Sequence, residues 1–243
     1  MNLSDFAENV HSQHGEDGII QKILEWLGMK KGHCVEFGAW DGYKFSNTAN
    51  LWEPKDSNWT ATLLEGDPAK FVALKENMKL HPNVKAAKRM VGIEPDTRWW
   101  EVAPRDSDIV SIDVDGNDYY IFLDSPRGPK LYIVEYNTTI PAWLDVWTPY
   151  AKDNYFGCSL KALERVAQAK GYAYIGSTRS NGFFLRDDLL GKVPKELDRD
   201  LRHAANQDDL TYLITSYAGE FKETRIGPYG RTRYYEKEVL SKT

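Results

Sequence analysis

The stretch His33-Cys34-Val35-Glu36-Phe37-Gly38-Ala39-Trp40-Asp41-Gly42 constrains the fold of this chain more than any other. An apolar run meets an acid, and two glycines follow before a polar segment. The pattern predicts a buried parallel strand ending near Glu36, then a turn that brings backbone close to a ligand. Glycine suits that turn because it accepts positive φ and carries no Cβ. In an open α/β sheet, ligands sit beyond the carboxyl ends of strands, where strand order reverses.

Two nucleotide chemistries compete for the turn. A pyrophosphate binder calls for G-x-G-x-x-G opening a helix, its amides facing the phosphates. Gly38 and Gly42 lack that spacing, no G-x-x-x-x-G-K-[ST] occurs, and Glu36 and Asp41 would repel phosphate. An acidic glycine turn fits a ligand with hydroxyls, amines or positive charge. S-adenosylmethionine offers all three, in its ribose, its α-amino group and its sulfonium. A buried strand with a glycine turn and no ligand is the plainer alternative.

The rest of the chain alternates in period. Ile19 to Leu27 carries apolar residues at helical spacing, with Gly28 as its stop and Glu16 and Asp17 suited to the positive end of the helix dipole. Tyr43 to Leu51 reads as a helix entry with Ser46, Asn47 and Thr48 as caps. Strands are expected at 58–64, 84–91, 109–112 and 131–134, and helices at 71–80 and 159–170, the last closed by Gly171. Tyr172–Gly176 and Gly182–Leu185 flank a polar turn and read as a hairpin. Five parallel strands, intervening helices and a final hairpin give an α/β fold: a doubly wound, mostly parallel seven-stranded sheet with an antiparallel C-terminal hairpin strand. Residues 1–192 form that domain. Residues 193–243 turn charged and read as an extension packing on it or serving a subunit interface, a route to a homo-oligomer.

Composition narrows the partners. The 243 residues are 42% hydrophobic and 28% charged with a net charge of −5, ordinary for a globular domain and without the basic excess of a general nucleic-acid binder. Cys34 and Cys158 show no metal-ligand spacing, and their scarcity fits a reducing cytoplasm. Met1–Val10 lacks the apolar core of a signal peptide, and no run approaches the ~20 apolar residues of a membrane span. The expected partner is a small molecule, with neither nucleic acid nor membrane.

With these residues placed, the chain resembles class I S-adenosylmethionine-dependent methyltransferases, and more narrowly the FkbM-type branch. The matching pieces are Ser12–Gly18, Val35–Gly42, Ser46–Thr48, Leu64–Asp67, Ser111–Asp118 and Val134–Asn137, in that order. The resemblance covers roughly residues 10 to 190; Trp40 departs from it where many relatives have a third glycine. It implies a Rossmann-like fold and methyl transfer, usually to oxygen. It also implies that Glu36 lies near the methionine amino group, Gly38 and Ala39 pass under the ligand, and Glu65 takes the ribose hydroxyls. Gln13 with Ser46 and Asn47 would cover the methionine carboxylate. Asp41, Asp67 and Asp113 complete the expected cofactor set, Asp67 as a ribose ligand or a turn cap.

Acids also gather at the next two strand ends. If the fourth strand continues, Asp113 and Asp115 share a face, as do Glu135 and Asn137 on the fifth. Neighbouring strands lie about 4.8 Å apart, so the four would converge. Facing carboxylates are costly unless a cation, a cationic ligand or a raised pKa compensates. Oxygen ligands of this type suit Mg²⁺ or Mn²⁺. The set resembles metal-dependent catechol-type O-methyltransferases in part, since Tyr136 here separates acid from amide; a polar turn capping the next helix is the alternative. Asp113, Asp115 and His14 are the candidate bases for an alcohol acceptor. Trp143, Trp147, Tyr150, Tyr155 and Phe156 would roof its pocket or pack under a loop.

The expected function is therefore O-methylation of a small hydroxylated molecule, a sugar or natural-product intermediate. A nicotinamide-dependent oxidoreductase and a non-catalytic module of the same fold are the competing readings.

Overall fold

The computed structural model describes residues 1–152, 155–204, 211–215, 217–218, 221–226 and 232–236. Helix α1 (Glu16–Leu27) ends at Gly28, whose φ of 69° and amide bond to Glu25 O close its last turn. Then come β1 (Gly32–Phe37), the short α2 (Ala49–Trp52), β2 (Trp59–Glu65), α3 (Pro68–Asn77) and β3 (Val84–Lys88). The second half runs β4 (Ile109–Ile112), α4 (Asp118–Asp124), β5 (Leu131–Glu135), α5 (Leu160–Ala169), β6 (Tyr172–Ser177) and β7 (Asn181–Arg186).

These seven strands form one sheet in the order β3-β2-β1-β4-β5-β7-β6. β1 pairs parallel with both β2 and β4, while β7 lies antiparallel between β5 and β6. This is the expected doubly wound, mostly parallel sheet with its antiparallel hairpin. The winding reverses between β1 and β4, which marks the switch point where such sheets leave a crevice.

Strand residues alternate between two apolar layers, as a period of two dictates. Cys34, Leu63, Ile109, Ile133 and Phe183 pack with Ile19, Ile20 and Ile23 of α1. Val35, Val110, Tyr132 and Phe184 face the other way, onto Phe122 of α4 and Leu163 and Val166 of α5. Each such side chain contributes about 1.5–3 kcal/mol when fully buried. The alternation has a polar continuation: Glu36, Glu65, Ser111, Glu135 and Asn181 all fall on the α1 side of the sheet. The apolar layer ends and a polar stripe begins where the strands reach their ends.

Three local expectations change. The helix expected from Tyr43 is only Ala49–Trp52, because Ser46, Asn47 and Thr48 turn inward to Glu36. The third strand stops at Lys88 instead of Val91. The fourth keeps its expected bounds but does not continue past Ile112, so Asp113 and Asp115 share no strand face and are loop residues, with Asp115 at φ 58°.

Beyond β7 the chain stays on the core: Val193, Leu197, Leu201 and Ala204 are buried. Residues 211–236 contribute β8 (Thr211–Thr215), β9 (Phe221–Ile226) and β10 (Thr232–Glu236), a separate antiparallel sheet in the order β10-β9-β8. Among the described residues no helix is long and apolar enough to cross a membrane.

Candidate functional site

The site grows from Glu36. A carboxylate buried at a strand end needs donors, and three residues from the following loop supply them. Ser46 Oγ (2.7 Å) and Thr48 Oγ1 (2.5 Å) donate to Oε2, and the Asn47 amide (2.8 Å) donates to Oε1. Burial raises the Glu36 pKa, and those same donors pull against the rise. Asn47 Nδ2 reaches on to Ser111 Oγ of β4 at 3.0 Å. The Ser-Asn-Thr run thus folds the loop around Glu36 and bridges the switch point.

Gly38 follows with φ 65°, and a Cβ there would lie 2.1 Å from the carbonyl oxygen of Asp113. Only glycine lets the loops after β1 and β4 meet this closely. Trp40 and Phe45 also take positive φ, 47° and 59°, which side chains other than glycine rarely adopt. Trp40, Phe45 and Asp115 all line one cleft, in keeping with the gathering of backbone strain at functional sites.

That cleft, about 240 Å³, runs along the carboxyl ends of β3, β2, β1, β4 and β5. Among the expected cofactor residues, Gln13, Glu36, Gly38, Asp67 and Asp113 line it. Ala39, Asp41, Ser46, Asn47 and Glu65 do not, and each is occupied behind the wall. Asp41 Oδ1 accepts from the amides of Tyr43 and Lys44. Glu65, 4% exposed, accepts from the amides of Trp40 (2.8 Å) and Asp67 (2.7 Å). Asp67 caps α3 through Oδ1, and the amides of Lys70 and Ala69 hold its carboxyl below its usual range.

Beyond β4 the acids converge. Oxygens of Asp113, Asp115 and Glu135 lie within 4.8 Å of one another, brought together by the turn at Asp115 instead of a longer strand. Burial, then the charges of Asp118 and Asp115, push Asp113 up to about 7. Burial, then Asp113, drives Glu135 well above the ordinary carboxylate range; the two side chains hydrogen-bond to each other. The fourth expected metal ligand stands aside. Asn137 Oδ1 accepts from Thr139 N and Oγ1, and Nδ2 donates to Phe156 O.

A second cavity, about 290 Å³, opens on the far side of these acids. Its lining includes Asp115, Asp118, Glu135, Asn137, Tyr155 and Phe156. Asp115 and Glu135 therefore wall both cavities. Of the expected aromatic roof, Tyr155 and Phe156 line this chamber. Trp147 stacks on Tyr119 and Tyr150 donates to Glu94, so both pack elsewhere. His14 lies on a different surface depression, with Asn9, Thr178 and Arg179.

Asp118, the last residue of the Ser111–Asp118 stretch, joins these acids although no site role was expected of it. It is 2% exposed, accepts from Val114 N and Gly116 N at 2.8 Å each, and is pushed up to about 6 by burial. An acid two residues after a glycine in a strand-end turn was the available signal. Glu16 and Asp17 also do more than face the helix dipole. Glu16 accepts from Thr178 Oγ1, Asn181 Nδ2 and His14 N, and Asp17 from the amides of Val10, His11 and Ser12. They hold the segment bearing Gln13 against the sheet.

No family model matches the chain, and no curated protein matches it. Solved structures do align. A SAM-dependent methyltransferase from Aquifex aeolicus covers 68% of this chain and 86% of its own, at 11% identity and TM-score 0.43. Precorrin-6y C5,15-methyltransferase from Geobacter metallireducens GS-15 covers 73% and 89%, at 16% identity and TM-score 0.43. TrmK of M. capricolum, in complex with S-adenosyl-homocysteine, covers 68% of each chain at 10% identity and TM-score 0.42. Each is a likeness of chain path and assigns no residue of this chain a role.

Proposed function

We propose that the chain is an S-adenosylmethionine-dependent methyltransferase acting on an oxygen of a small hydroxylated molecule, a sugar or natural-product intermediate. One observation carries the reading: two cavities meet at Asp115 and Glu135, where Glu135 and the neighbouring Asp113 hydrogen-bond to each other and both have a raised pKa. Methyl transfer is largely a matter of holding two ligands end to end. An alcohol acceptor also needs a proton acceptor at the junction.

The cleft fits the cofactor. Gln13, Glu36, Gly38 and Asp67 would hold it, and when bound it supplies an electrophilic methyl group beside the acids. Gly38 lets the loop after β4 close against the loop after β1, which shapes the floor of the cleft. Asp67, with Oδ1 spent on α3, keeps Oδ2 for a ribose hydroxyl. Glu65 acts from behind by fixing the Trp40 and Asp67 amides, a positioning residue instead of the ribose ligand expected from sequence.

The Asp113–Glu135 pair accepts the proton of an acceptor hydroxyl entering from the second chamber, which reaches Glu135 directly. Tyr155 and Phe156 offer ring faces to the acceptor's apolar side. Asp113, Asp115 and Glu135 equally fit a divalent cation, Mg²⁺ or Mn²⁺, which when bound would ease loss of the hydroxyl proton.

Thermal unfolding with S-adenosylhomocysteine, with NAD and without ligand tests the cofactor. Saturation to a hundredfold the dissociation constant adds about 2.7 kcal/mol. Stabilisation by NAD alone would reject the reading. A labelled-methyl screen of hydroxylated metabolites, run in chelator and in Mg²⁺, then identifies the acceptor and the metal requirement. Full turnover by an Asp115→Ala, Glu135→Ala double variant in chelator would remove the acids from the chemistry in either form.

A further inference from the structure

The cofactor cleft has two electrostatic ends. Acids line it at β4 and β5, whereas Lys44, Lys70 and Arg89 line it at β1, β2 and β3. Lys44 Nζ stands 4.0 Å from the centroid of the Trp40 ring and Lys70 Nζ stands 4.3 Å from the same centroid. Two ammoniums so placed are within about one screening length (~8 Å) of each other and repel. Among the described residues neither has a carboxylate at ion-pair distance. Arg89 donates to the carbonyls of Asp96 and Arg98, which orient its charge without cancelling it. The acids at this end are Asp67, whose Oδ1 is spent on the amides of α3, and Glu36, whose oxygens accept from Ser46, Asn47 and Thr48.

The group is also held in place. Trp40 is fixed by the hydrogen bond its backbone amide donates to Glu65, and Glu65 accepts from the amide of Asp67, the residue that caps the helix bearing Lys70. Phe45 meets Trp40 edge-on, and both residues take positive φ. An indole contact offsets part of the repulsion, at about 0.5–1 kcal/mol per exposed cation. The remainder favours an anion.

We propose that Lys44, Lys70 and Trp40 form an anion subsite at the mouth of the cleft that takes a phosphate group. Two ammoniums held against one indole concentrate positive charge at the rim, where a dianion can accept charge-assisted hydrogen bonds. The acidic turn at Glu36 and Asp41, which argues against phosphate in the cleft floor, is enclosed in its own hydrogen bonds and leaves the rim cationic. The subsite rests on the cleft alone, not on methyl transfer, so it stands or falls apart from the proposed reaction.

The full chain is titrated with inorganic phosphate, glucose 6-phosphate and glucose, followed by calorimetry and tryptophan fluorescence. Saturable binding of both phosphates and none of glucose is expected. A Lys44→Gln, Lys70→Gln double variant should bind phosphate at least tenfold more weakly while keeping its thermal midpoint. Trp40→Phe should lose the fluorescence change but keep the calorimetric one. Tighter binding of glucose 6-phosphate than of phosphate assigns the group to an organic ligand; equal affinity assigns it to the free anion. Absence of saturation by either phosphate up to about 10 mM, a free energy near −2.7 kcal/mol, overturns the proposal. So does equal affinity in the double variant, whether or not S-adenosylhomocysteine binds.

Discussion

The amide nitrogen of Trp40 lies 2.8 Å from Oε2 of Glu65, so the loop after β1 hangs from the end of β2. The other oxygen of the same carboxylate holds the Asp67 amide. One side chain thus sets the spacing of two loops that border one cleft.

That geometry separates two neighbouring acids. Asp67→Ala should weaken S-adenosylhomocysteine binding tenfold or more at a stability cost of about 1 kcal/mol, the worth of a helix N-cap. Glu65→Ala should weaken binding too, but it frees two amides and should cost about 2–4 kcal/mol. Calorimetry beside urea unfolding reads both. Equal stability of the two variants would remove Glu65 from its positioning role.

Glu36 is the deeper anchor. Glu36→Ala strips the acceptor from Ser46, Asn47 and Thr48, all buried. At about 1–3 kcal/mol per orphaned donor, a loss of at least 3 kcal/mol is expected in equilibrium unfolding. A loss under 1 kcal/mol would show that the loop finds other acceptors.

Asp113 gives the pH dependence. Its folded pKa, about 7, stands above the ordinary carboxyl value, so the folded state holds that proton more tightly. The stabilisation is fully present below about pH 4 and lost as pH rises toward 7. In chelator, Asp113→Asn should unfold at higher temperature than the parent above pH 7 and match it near pH 4. Parent turnover should rise with pH through about 7, as Asp113 ionises. A flat difference in midpoint across this range would contradict the raised pKa.

Tyr155 and Phe156, 84% and 49% exposed, carry little of the core. A Tyr155→Ala, Phe156→Ala double variant should raise the acceptor KM about tenfold, leaving cofactor affinity and thermal midpoint near the parent's, as expected for surface positions. Unchanged KM would move the acceptor out of the second chamber.

The strand pattern was readable because buried parallel strands are apolar runs bounded by turn residues, as at Ile109–Ile112 and Leu131–Glu135. The acids at strand ends were readable for the same reason, since charge stands out against those runs. Which of them face the cleft was not. Glu65 and Asp67 differ by two positions, yet one turns to backbone amides and the other to the cleft. Such choices depend on loops such as Gly38–Thr48, whose positive φ at Trp40 and Phe45 leaves no periodic trace. Lys44, Lys70 and Arg89 escaped notice because solvated lysines and arginines are common everywhere; only their convergence sets them apart.

Gly38 and Gly28 have nearly the same backbone, φ 65° and 69°, but opposite tolerance. Nothing lies within 4 Å of a Cβ added at Gly28, so asparagine would meet only the conformational cost of about 1 kcal/mol. At Gly38 the carbonyl of Asp113 stands 2.1 Å away. A saturation library selected for folded protein should return several letters at position 28 and a single one at position 38. The carbonyl of a loop three strands along the sequence, after a strand adjacent in the sheet, dictates that letter.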